Sequence, residues 1–228
     1  MLFYTDVEPL SPHAHGQWRI ADDASWGFAA HTNVLPLLGQ ELPAAQANYP
    51  IAFAATAQGQ PLAVALVGSQ SNRFVDAQGQ WQNQAYIPAY VRRFPFALAG
   101  EGERQAVVIE TSSGVVGPFA QGKPLFEGDV PSATLQQALG LVEAFYRQGQ
   151  VSEVFAHELK RLGLLKAVTF VDVYTRDQVE GLQIVDEQAF KRLDDTALLG
   201  LFKAGFLDWV YAHLHSLKQL PMVGLALA

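Results

Sequence analysis

Between Ala24 and Val91 the only formal charges are Glu41, Arg73 and Asp76. A stretch this long and this sparsely charged is either buried on both faces or part of an interface. Its punctuation by Pro36, Pro43, Pro50, Gly59, Pro61, Gly68, Gly79 and Pro88 favours several short strands over helices. The rest of the chain can close a core around them, since half of the 228 residues are hydrophobic and 11% are aromatic. That excludes disorder as a description of the whole.

Strands are expected near Leu2–Val7, Trp26–Ala30, Ile51–Thr56, Leu62–Val67 and Arg73–Asp76. Residues 57–61 form a loop of hairpin size, and Asp76-Ala77-Gln78-Gly79 is a second turn signal. Pro88 can open a short helix that Pro95 must end. Phe96–Ala99 and Gln105–Glu110 read as a hairpin across Gly100-Glu101-Gly102-Glu103, and Thr111–Asp129 as an irregular crossing. The chain then changes character. Leu135, Ala138, Leu139, Val142, Phe145 and Tyr146 recur at helical spacing, with Ser132 or Thr134 as the cap and Gly149 as an expected break. Ala167–Tyr174 and Val179–Val185 read as a late hairpin, and Asp194 as the cap of a last helical region broken at Gly205. Strands first and helices later define an α+β class: antiparallel sheet in the N-terminal half, helices plus a β-hairpin in the C-terminal half. The expected organisation is a single domain over residues 1–228, with sub-lobes 1–129, β-rich, and 130–228, helical.

Charge and composition narrow the function. A net charge of -7 argues against a nucleic-acid or anionic-membrane surface. Without cysteine there is no disulfide, thiolate nucleophile or Cys-ligated metal. The N-terminus shows no secretory signal, and no apolar run approaches the roughly 20 residues of a spanning helix, so the expected location is the cytoplasm, with export by a route lacking a cleaved signal left open. No G-x-S-x-G elbow, P-loop, dinucleotide fingerprint or H-E-x-x-H occurs, so no cofactor and no metal are expected.

The most unusual segment is Tyr86–Phe96, which sets two Tyr, two Phe and the cations Arg92 and Arg93 in otherwise uncharged sequence. In a ligand-binding reading, Arg92 or Arg93 presents a bidentate fork to a carboxylate or phosphate, walled by Tyr86 and Tyr90. In a structural reading, one Arg pairs with an internal acid such as Glu41 or Asp76 and the rings are core. His31, in Phe28–Asn33, is a candidate general base, and Asn33 a group able to orient a ligand amide or carbonyl. Asn72, at the mouth of a turn, is a further ligand-binding candidate; ordinary turn formation competes for all three. The pair His13 and His15 lies in a polar loop without an identifiable third ligand. His213 and His215 point apart on a helix, so one of them packs inside while the other is solvated.

These segments resemble the SapC family of bacterial proteins. The matching stretches are Phe28–Asn33 with Pro36-Leu37, Tyr49–Phe53, Phe74–Asp76 with Gly79 and Trp81, the long Tyr86–Phe96 block, Pro124–Phe126, Val185–Glu187, and Ala212–Leu214 with Ser216-Leu217. They follow one order from near the start almost to the end, and Tyr86–Phe96 is the most specific. The resemblance implies one family unit along the chain and brings no catalytic residues. The family takes its name from a surface-array (S-layer) locus.

The leading expectation is a soluble, non-catalytic binding or accessory protein that recognises a small acidic ligand or a peptide or protein partner. An enzyme using His31 with Tyr and Arg partners on a small acidic substrate, and a surface-layer component, are the alternatives. The sparsely charged lobe also suits a homodimer contact.

Overall fold

The computed structural model describes residues 2–100 and 105–228, and its fold is α+β, with every paired strand antiparallel. It divides into two compact units, each drawn from separate parts of the chain: Met1–Ala29, Val75–Trp81 and Ala89–Arg147 in the first, Ala30–Phe74, Gln82–Pro88 and Gln148–Ala228 in the second.

In the first unit, strand Ala106–Glu110 lies between Phe96–Ala99 and Val7–Pro9. The expected hairpin is therefore present, and its turn at residues 101–104 lies outside the described residues. The expected strand over Leu2–Val7 forms later, as Val7–Pro9. Phe3 breaks the extended run with a φ of 73° and packs against Phe28, Tyr90 and Phe94, so local alternation yields to ring burial. Trp26–Ala30 is likewise no strand but a 3-10 turn over Gly27–Ala29. Gly79 O accepts from Trp26 N–H, and Trp26 O accepts from Ala29 N–H, which curls the segment. Arg73–Asp76 contributes only the single bridge Val75–Trp81, around the expected Asp76 turn. Phe96, Ile109, Val116, Leu125, Leu135 and Val142 form one core cluster of this unit.

The second unit holds a six-stranded sheet in the order Leu225–Leu227, Leu165–Asp172, Gln178–Val185, Ile51–Ala55, Pro61–Leu66 and Val34–Pro36. The expected hairpin late in the chain forms its second and third strands. Phe53 projects from the sheet toward the rings of Phe155 and His213, and Phe155 meets Phe206 and Trp209.

Ser132 caps the helix Ala133–Arg161, accepting from Leu135 N–H at 3.2 Å. The expected break at Gly149 does not occur. One mid-helix glycine costs about 1 kcal/mol, too little to stop a helix with side chains packed on both sides of it. Gly205 does separate two helices, Asp195–Lys203 and Leu207–Ser216, because its φ of 74° leaves the helical region. Asp194 caps the first of them, as its position suggests.

Candidate functional site

The Tyr86–Phe96 block folds into a short helix, Ala89–Arg92, that ends in a tight turn. Arg93 N–H donates to Ala89 O, and Arg93 O accepts from Phe96 N–H, where the strand Phe96–Ala99 begins. The Arg93 backbone is thus fixed on both sides. Helical spacing sets Tyr90, three residues earlier, on the same side of the turn.

Arg93 points inward and is 6% exposed. Its guanidinium carbon lies 4.4 Å from the Phe145 ring centre, 4.6 Å from that of Tyr90 and 5.3 Å from that of Tyr4. The rings present negative faces to the cation. Tyr4 Oη donates to Phe96 O at 2.8 Å, and Tyr90 Oη donates to Leu2 O at 2.8 Å, so both phenols are held in place. Burial pushes the Tyr90 hydroxyl up, against the opposing charge and hydrogen bond of Arg93. It pushes Tyr4 up as well, and again the Arg93 charge opposes it. Both phenols therefore stay neutral, and neither supplies the counter-charge.

No carboxylate among the described residues supplies it either. Among the described residues Arg93 forms no ion pair, and its Nε has no hydrogen-bond partner. Glu110, a buried acid of the same unit, is occupied elsewhere: it accepts from Thr5 N–H at 2.6 Å, Asp6 N–H at 3.0 Å, and Ser112 Oγ at 2.7 Å. Burial pushes its carboxyl up, but the hydrogen bonds from Ser112, Thr5 and Asp6 outweigh that and hold it below the usual range. Asp76 accepts from the N–H groups of Gln78 and Gln80 in its own turn.

The other sequence-derived candidates are distributed as follows. Arg92 follows Val91 with its side chain exposed. Tyr86, in the second unit, donates from Oη to Glu41 Oε1 at 2.7 Å, its N–H donates to Asn48, and its carbonyl accepts from Tyr49. Asn33 and Asn72 lie on two loops stitched together: Asn33 Nδ2 donates to Ser69 O at 3.2 Å, Asn72 N–H donates to Ala30 O, and Asn72 Oδ1 accepts from Phe74 N–H. His31 is exposed beside them. Tyr90 and Arg93 thus meet in one cage, and Asn33 and Asn72 in one pair of loops. Tyr4 and Phe145, two walls of the cage, were not visible in the sequence. Each is an ordinary aromatic in its own segment, and only the fold brings them to Arg93.

The second histidine pair behaves as its helical spacing requires. His213 is buried, with Nε2 accepting from Val185 N–H at 3.0 Å, while His215 is exposed. Among the described residues, no group of three or more His, Cys, Asp or Glu side chains is placed to hold a metal ion, and no helix is long and apolar enough to cross a membrane.

The architecture is that of an α+β protein in which one unit wraps three aromatic rings around an arginine that has no ion pair among the described residues. A family model described as SapC matches residues 10–222, nearly the whole chain. The chain belongs to the SapC family. No curated protein and no solved structure matches it.

Proposed function

We propose that this SapC family protein is a non-catalytic binding protein that takes an acidic group, a carboxylate of a small ligand or of a peptide, at Arg93. The supporting observation is the guanidinium enclosed by Tyr4, Tyr90 and Phe145, with no acid paired to it among the described residues and Nε unsatisfied there. Burying an unpaired charge costs several kcal/mol, whereas a desolvated ring face returns about 2 kcal/mol. An incoming carboxylate would make the missing charge-assisted hydrogen bonds, and a planar guanidinium binds such a group in bidentate fashion. The segment Leu2–Thr5 supplies the Tyr4 ring of the cage and the Leu2 carbonyl that holds Tyr90.

The test is calorimetric titration with succinate, glutamate, inorganic phosphate and a short Asp/Glu peptide, for the wild type and for Arg93→Gln. Saturable heat from a carboxylate ligand that disappears in Arg93→Gln supports the reading. Equal binding by both proteins, or no binding of any probe by the folded wild type, overturns it.

A further inference from the structure

In the second unit the strands Ile51–Ala55 and Gln178–Val185 pair at only two positions, Ala54 with Leu182 and Phe53 with Gln183. Next to them the ladder between Leu165–Asp172 and Gln178–Val185 slips: between Val168 and Phe170 the single residue Thr169 faces both Glu180 and Gly181. Gly181 takes a φ of 79°, the left-handed conformation of a bulge glycine, and bulges terminate pairing. Where pairing between the two hairpins stops, a hollow of about 610 Å³ opens, a size typical of small-molecule sites. Ala55, Pro61, Leu165, Ala167 and Leu182 line it with short aliphatic groups. No atom stands within 4 Å of a Cβ added at Gly59 or Gly181, which also line it.

Lys160, in the last turn of the helix Ala133–Arg161, and Glu180, on the bulge, line this hollow with opposite charges. They are too far apart to pair with each other, and neither forms an ion pair among the described residues. Lys160 Nζ donates to Gly59 O at 3.0 Å, which ties it to the hairpin turn and leaves two of its three N–H donors. The charges next in sequence are engaged elsewhere, Arg161 with Glu158 and Lys166 with Asp186. Thr169 and Gln183 add a hydroxyl and an amide, and no aromatic side chain among the described residues lines the hollow with a stacking face. We propose that this hollow binds a free aliphatic amino acid, its carboxylate on Lys160, its ammonium on Glu180 and its side chain against Leu165, Leu182 and Pro61. A simple anion would meet the charge of Glu180 and a simple cation that of Lys160, whereas a zwitterion satisfies both.

The test is a titration of the whole chain followed by its backbone amide NMR signals. The probes are L-leucine, N-acetyl-L-leucine, which lacks the ammonium, and L-leucinamide, which lacks the carboxylate. L-leucine is expected to shift the amides of Ala167, Gly181 and Leu182 saturably, and each single-charge analogue to bind about tenfold more weakly or worse. Lys160→Met and Glu180→Gln are each expected to weaken L-leucine binding by a similar factor. Ala167→Phe keeps both charges but fills the floor, and is expected to abolish binding. All three positions are exposed, and circular dichroism confirms that the variants stay folded. Equal response to the single-charge analogues, or unchanged binding by any of the three folded variants, overturns the proposal. So does the lack of any saturable shift with L-leucine, or shifts confined to amides around Arg93, which would report a carboxylate taken there instead.

Discussion

The guanidinium of Arg93 stands 4.4 Å from the centre of the Phe145 ring. One residue closes a short helical turn and the other lies on the helix Ala133–Arg161, so two distant segments are joined through a cation and a ring face. Such a contact compensates charge only in part, and that separates stability from function at this position.

Arg93→Met keeps the length of the side chain and removes its charge. Replacing a buried ion by an apolar group of similar volume is often neutral or stabilising by about 1–4 kcal/mol. The variant is therefore expected to unfold at the same or a higher denaturant midpoint while losing carboxylate binding. Chemical denaturation alongside calorimetry checks both halves.

His213 gives the protein an acid-side stability slope. Burial lowers its imidazole from 6.5 to about 3, so the native form is neutral. As pH falls below 6.5 the unfolded chain takes up a proton that the native one refuses, so stability falls and levels off only near 3. The full loss is on the order of 5 kcal/mol. Glu110 adds to it: its lowered carboxyl stabilises the fold above the ordinary carboxylate range, and this is lost as pH falls through the native value. Unfolding midpoints measured from neutral pH downward should lose their upper slope in His213→Gln and their lower slope in Glu110→Gln.

Gly39 is required by a neighbour and not by its backbone. A Cβ there would stand 2.1 Å from Cζ3 of Trp209. Gly39→Ala should destabilise the protein by about 1–3 kcal/mol, the usual cost of overpacking, and should alter tryptophan fluorescence as the indole shifts. Unchanged emission and stability would refute the close approach.

Gly149 is the opposite case, since nothing lies within 4 Å of a Cβ added to it. Gly149→Ala should stabilise the protein by about 1 kcal/mol, the helix propensity difference, read as a higher denaturation midpoint.

The same glycine marks where sequence reading reached its limit. Propensity flags Gly149 and Gly205 alike, but only Gly205 adopts a conformation that a helix cannot continue. Hairpins with local turns, such as Ile51–Ala55 with Pro61–Leu66 and Leu165–Asp172 with Gln178–Val185, were legible because alternation and turn chemistry lie within one short window. Leu2–Val7 and Trp26–Ala30 were not, because Phe3 and Phe28 answer to rings elsewhere in the fold. Of the candidate site, the block around Arg93 stood out by composition. That Arg93 turns inward among Tyr4 and Phe145 depends on contacts no window contains.

Thr5 and Glu110 lie 105 positions apart, and strand Ile51–Ala55 pairs with Gln178–Val185 from the far end of the chain. On the ribosome, then, the three-stranded sheet of the first unit can close once Glu110 has emerged, whereas the six-stranded sheet waits for Leu225–Leu227. Segments as greasy as Ile51–Ala55 and Pro61–Leu66 wait in the open meanwhile, and loop closure over such spans is slow. That delay leaves the apolar strands of a nascent chain exposed to aggregation during translation.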